Sequence, residues 1–153
     1  MSGPTDIVAE ARSWLGTPYV HQASCRGAGA DCLGLVRGIW RAVVGDEPVT
    51  LPAYTPDWSE AARDEALMRG AGLYLDPANG APQPGDIVLL RMRDSAVAKH
   101  LGVVAEVGSA PTFIHAYTGH GVVESPFSLP WQRRAVGYFR FPNQATFTPN
   151  QKD

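Results

Sequence analysis

The chain has 153 residues, 44% of them apolar and 18% charged, with 15 Asp and Glu against 13 Lys and Arg. That suffices for one packed domain, not two comfortable ones, and it is not the composition of a disordered chain. A net charge of −2 without any Lys/Arg block gives no electrostatic reason for a nucleic-acid partner or an anionic membrane surface.

The N-terminal stretch "MSGPTDIVAEARSWLGTPY" lacks a basic segment followed by an apolar one, so it does not read as a secretory signal. No run approaches the roughly 20 apolar residues of a spanning helix, and membrane insertion is not expected. Synthesis and folding in the cytosol follow, and any action outside a cell would need separate delivery. Thr5 is placed to cap a helix from about Asp6 to Leu15. Ile7, Val8, Ala11, Trp14 and Leu15 share one face, and Gly16 and Pro18 stop it. "GTPYVHQASCRGAGAD" reads as a loop, and a second helix runs from Cys32 to about Val44, with Leu33, Val36, Ile39, Trp40 and Val43 at helical spacing. "GDEPVTLPAYTPDW" is turn-rich, and Ser59 caps a third helix, "EAARDEALMRG".

After "NGAPQPGD" the pattern changes to strands at 86–92, 101–107, 112–117, 121–125 and 135–141, separated by Gly, Pro and Ser turns. Helices first and strands afterwards predict an α+β domain over residues 1–142. Its N-terminal helices pack on a mostly antiparallel sheet of five or six strands, or a half-barrel, with 143–153 a polar tail.

Cys32 sits where a glycine-rich turn meets a helix. The partial positive charge and free amides of a helix start favour thiolate over thiol there, and Gly34 leaves room beside the sulfur for a backbone or a ligand. A buried packing cysteine fits the position equally well. A nucleophilic cysteine needs a base, and two strand histidines are available. His100 stands directly before the strand "LGVVAEV" and His115 lies within "TFIHAY". Neighbouring antiparallel strands can bring the two together, His100 taking the Cys32 proton and His115 orienting His100. Either histidine is also compatible with a local hydrogen-bond network and no catalytic role.

Other readings are weaker. A Cys25–Cys32 disulfide is disfavoured by the Gly-rich spacing and a cytosolic origin. Zinc held by His21, Cys25 and Cys32 has no C-x-x-C or HExxH support, so no metal and no other cofactor are expected. His120, in "TGHGV", reads as an exposed turn residue, and His21 as a loop residue near the cleft. Trp14, Trp40, Trp58 and Trp131 read as core or rim packing.

In order, "ARSWLGTPYVHQ", "GADCLGLV", "QPGDIVLL", "HLGVVAEV" and "FIHAY" resemble the NlpC-type papain-like cell-wall peptidases, from about residue 5 to residue 141. The resemblance implies a papain-like fold with Cys32 as nucleophile, His100 as base and His115 as its orienting partner. It implies hydrolysis of peptidoglycan stem peptides between D-glutamate and a diamino acid, through a thioacyl-enzyme. The Cys32 amide and the Tyr19 hydroxyl are the candidate oxyanion donors. Asp31 is a candidate for binding the free amine of the stem peptide, or for capping the helix.

Leu33 departs from the pattern, since many members have Ser after the cysteine. "GTPYVHQ" and "DCLGLV" are most similar to compact members carried in tails of bacteriophages and phage-derived gene transfer agents. That subgroup implies tail-tip or hub proteins as partners and action in the periplasm of a target cell. A tail adaptor that has lost its activity is the alternative.

Overall fold

A computed structural model describes residues 4–47, 74–91 and 98–142. The helix expected after Ser59, Trp58 and the 143–153 tail lie outside the described residues. Helix α1 spans Pro4–Arg12 and helix α2 Cys32–Val43, with the short strands β1 (Ser24–Cys25) and β2 (Gly29–Ala30) between them. Then come β3 (Asp76–Pro77), β4 (Ile87–Arg91), β5 (Ala98–Glu106), β6 (Thr112–Tyr117), β7 (Gly121–Pro126), the one-turn helix α3 (Leu129–Gln132) and β8 (Ala135–Arg140). β1 pairs with β2, and the rest form an open six-stranded sheet in the order β3-β8-β4-β5-β6-β7. Every pair in it is antiparallel, which bears out the α+β expectation.

Three boundaries differ from expectation by two residues or more, for identifiable reasons. α1 begins at Pro4, so Thr5 lies in its first turn and is not its cap. It ends at Arg12 because the backbone tightens: Trp14 and Leu15 donate to carbonyls three residues back, and Gly16 takes a φ of 87°. β5 begins at Ala98, so His100 is a strand residue and does not precede the strand.

The two sides of the sheet divide the core. On one side Ile87, Leu89, Leu101, Val103, Ile114, Ala116 and Val122 pack with Ile7, Val8 and Ala11 of α1, Trp14 just after it, and Leu35, Val36, Ile39, Trp40 and Val43 of α2. Leu35 and Ile39 are fully buried, and each such side chain contributes about 1.5–3 kcal/mol. Gly38 lets α2 approach α1 closely, since a Cβ there would meet the Trp14 ring. On the other side Val88, Leu90, Phe113 and Phe127 form a smaller cluster backed by Trp131, Ala135 and Tyr138. Strand alternation puts His100 and His115 on this second side, out of phase with Leu101 and Ile114.

The "PGD" before β4 is structural. The buried Asp86 accepts from the Gln83 amide at 2.9 Å and from Arg140 Nε at 2.8 Å, tying the turn to β8.

Candidate active site

The loop from Thr17 to Ala30 sets the start of α2. Pro18 and Val20 exchange backbone bonds with Ala30, and Thr17 Oγ1 accepts from the Gly27 amide at 2.9 Å. Asp31 is the N-cap of α2. Its Oδ1 accepts from the Gly34 amide and its Oδ2 from the Gln22 amide, both at 2.7 Å. The side chain is buried, and the imidazole of His21 stands 3.8 Å from Oδ2. Capping is therefore an observed role of Asp31. Gly34 does leave room beside the helix start, and a backbone takes it, because a Cβ there would overlap the Ala23 carbonyl oxygen. Ser24 Oγ completes the clasp, donating to the Gly34 carbonyl at 2.6 Å.

Cys32 is thus held at the first position of α2, a free thiol like the exposed Cys25. Its sulfur receives the amides of Cys32 and Leu33, as a helix start should provide, and also the amide of Leu101 on β5. β5 and β6 pair from Val103↔Ile114 to Glu106↔Thr112, so Leu101 lies just beyond the ladder. The sulfur is thereby placed one residue along β5 from His100. The expectation of a favoured thiolate is not met. Burial, and secondarily the Asp31 carboxylate, push the Cys32 thiol up to about 12 and outweigh the three amides.

His100 and His115 are brought together. His100 Nε2 and His115 Nδ1 are 2.8 Å apart, and the rings meet edge to face. His115 has no exposed surface and His100 has 7%. Burial lowers both, His100 to about 3 and His115 to about 4, with His115 adding to the effect on His100 and His120 to that on His115. Both rings are neutral at neutral pH. His115 stacks on Phe113 at 4.1 Å, and Tyr117 and Trp131 wall both histidines. Gly102 makes that stack possible, because a Cβ on it would lie 2.6 Å from the Phe113 ring.

Tyr19 is half-buried beside Cys32 and Asp31 and hydrogen-bonded to the Thr118 hydroxyl. Burial raises it, which keeps the phenol protonated and able to donate. Leu33 is half-exposed and packs on the main core. His120 is exposed, as expected of a turn residue, and stacks on Tyr117 at 5.1 Å. Trp14 and Trp40 are core residues, whereas Trp131 lines the histidine wall. Among the described residues no three His, Cys, Asp or Glu side chains gather as metal ligands.

Two polar neighbours escaped the sequence reading. Thr118 is one. Ser125 is the other, its Oγ 3.0 Å from His115 Nε2. The signal for Ser125 was present in principle: β7 follows β6 through a hairpin, and with Phe113 paired to Ser125 the two-residue period puts Ser125 on the side of His115. It required the register, which the sequence does not display.

The model of the NlpC/P60 family matches residues 16–140. The gamma-DL-glutamyl hydrolase of Bacillus subtilis is 29% identical over 138 residues, which are 90% of this chain and 29% of that protein. An NlpC/P60 family protein from Bacillus cereus has a similar structure, with TM-score 0.60, 18% identity, and coverage of 92% of this chain and 40% of that one. A lipoprotein-like NLP/P60 protein from Staphylococcus aureus gives TM-score 0.56 and 20% identity, covering 92% and 42%. The chain spans less than half the length of these relatives, and the structural likeness establishes the fold. With the family pattern matched over most of its length and the papain-like arrangement present in its structure, this chain belongs to the NlpC/P60 family.

Proposed function

We propose that the protein is a cysteine endopeptidase that hydrolyses peptidoglycan stem peptides at the amide between D-glutamate and a diamino acid. The observation that carries this reading is the placement of two features at adjacent residues of β5. A helix-start cysteine receives the amide next to His100, and His100 is paired with His115 at 2.8 Å. The hydrolase named among its relatives acts, by its name, on gamma-DL-glutamyl bonds, which supports the substrate class.

The electrostatics select a form of the mechanism. With the thiol raised and the imidazoles lowered, the resting pair is a neutral thiol and a neutral base, not an ion pair. His100 takes the Cys32 proton as the sulfur attacks the carbonyl. The carbonyl oxygen gains the negative charge, stabilised by the Cys32 amide and the Tyr19 hydroxyl. Collapse of the intermediate breaks the C–N bond, and the His100 proton passes to the leaving amine. Water, deprotonated by His100, then releases the thioacyl group as the free acid. Asp31, already committed to the helix cap, presents the buried negative charge nearest Cys32 and is our candidate for the amine of the stem peptide.

Delivery by a phage-like tail, through tail-tip or hub proteins and into the periplasm of a target cell, is a separate part of the proposal. It rests on the resemblance of "GTPYVHQ" and "DCLGLV". Absence of the chain from purified particles of a producing culture would remove that part alone.

The peptidase reading is tested with defined stem peptides and mass analysis of the products. The wild-type chain should release the expected fragments. Cys32→Ala and His100→Ala should lower turnover by about 10³-fold or more without lowering the melting temperature by more than a few degrees. Full activity in Cys32→Ala would overturn the mechanism, and uncleaved substrate with the wild-type chain would leave the adaptor role.

A further inference from the structure

We propose that Ser125 is a positioning residue that sets the tautomers of both histidines, so that the base nitrogen of His100 is unprotonated when substrate arrives. The inference rests on the peptidase reading and follows from counting protons along one chain of contacts. His100 Nε2 faces His115 Nδ1 at 2.8 Å, and His115 Nε2 faces Ser125 Oγ at 3.0 Å. A neutral imidazole carries one N–H, so each ring donates at one nitrogen and accepts at the other.

Only two arrangements satisfy both contacts. In the first, His115 donates from Nε2 to the Ser125 oxygen and accepts at Nδ1 from His100 Nε2–H. His100 Nδ1 is then a free lone pair, able to take the thiol proton. In the second, the Ser125 hydroxyl donates to His115, His115 Nδ1–H donates to His100, and His100 carries its proton on Nδ1, where it cannot act as a base. Of the two, only the first leaves His100 able to take a proton, so the peptidase reading requires the Ser125 oxygen to accept from His115 Nε2–H. The transfer itself moves one proton, from Cys32 Sγ to His100 Nδ1, and leaves His115 and Ser125 unchanged.

Burial makes this outer contact consequential. His115 has no exposed surface and is walled by Phe113, Tyr117 and Trp131, and its Nε2 meets Ser125 Oγ at the part-buried end of that wall. Ser125 sits opposite Phe113 in the β6–β7 ladder, which fixes the hydroxyl on the histidine side.

The test uses the full chain labelled with ¹⁵N-histidine, read at neutral pH by long-range proton–nitrogen correlation, which reports the protonated nitrogen of each ring. Both histidines should carry their proton on Nε2. Ser125→Ala should turn His115 into a mixture of tautomers and lower kcat by about 10- to 100-fold with KM changed less than about twofold. Ser125→Thr, which keeps the hydroxyl, should restore both. A wild-type spectrum with His115 protonated at Nδ1 would overturn the assignment. So would Ser125→Ala with ring shifts and kcat both unchanged. Because the spectrum needs no substrate, it decides the role of Ser125 even if Cys32→Ala shows that the peptidase reading has failed.

Discussion

Cys32 and His100 are held by opposite means. Around Cys32 nearly every contact involves backbone: two amides on Asp31, a carbonyl against Gly34, a hydroxyl on the Gly34 carbonyl, and three amides on the sulfur. Around His100 the contacts are between side chains, through His115 to Ser125 and among Phe113, Tyr117 and Trp131. Backbone contacts depend on the loop and helix keeping their path, and side-chain contacts depend on charge state and ring packing. The cysteine side should therefore yield to changes that disturb the chain path, and the histidine side to protons and to crowding.

Acid should separate the two sides most. Both histidines are lowered in the folded chain, to about 3 and about 4, from an ordinary value near 6.5. Their neutral, buried forms thus favour folding fully above pH 6.5, and that stability is lost as pH falls towards 4, where only the unfolded chain takes up protons. Each histidine should cost about 1.4 kcal/mol per pH unit in that window, or about 4 kcal/mol for the pair at pH 5. Denaturant titrations at pH 7 and pH 5 measure it, and His115→Gln should reduce the slope. An unchanged slope would contradict the neutral assignment.

On the cysteine side the largest effect is expected from Asp31→Ala. It removes the cap and strands two amides, the Gly34 one buried, and should cost about 2–4 kcal/mol at pH 7. Thermal melts check this, and a loss below about 0.5 kcal/mol would show that the loop does not depend on the clasp.

A smaller effect on stability, but a selective one on turnover, is expected from Gly102→Ala. The added methyl meets the Phe113 ring on which His115 stacks, so it should displace His115 while leaving the Cys32 clasp intact. Stability should fall by about 1–3 kcal/mol, and kcat by about tenfold or more with little change in KM. Unaltered turnover would mean that the His100–His115 geometry tolerates movement of the stack.

Much of this was legible in the chain. The apolar spacing of α2 and its start at Cys32, and the presence and sequence of strands β4 to β8 after the helices, appear as expected, because each is a local pattern with a short period; the start of β5 and the short strands β1 and β2 were not read. Asp31 as a cap and Gly34 as a site of close approach were also readable, since turn and cap chemistry is carried by single residues. Ser125 and Thr118 were not, because each acts through a partner distant in sequence. The thiolate expectation for Cys32 failed for a related reason. The helix start was correctly located, but burial against β5 and the nearness of the Asp31 carboxylate are tertiary facts, and together they exceed the effect of the helix amides.

By itself the sequence determined the order of α1, α2 and the strands β4 to β8, the buried face of α2, and the presence of one cysteine at a helix start and two histidines among the strands. Those follow from periodicity and from the chemistry of individual residues. Tertiary structure alone decided which nitrogen faces which, that the pair rests uncharged, and that Ser125, the next-to-last residue of β7, closes the chain of contacts. Proton placement depends on distances between residues far apart in sequence and on how much water is excluded around them, and neither is written in any local stretch of the chain.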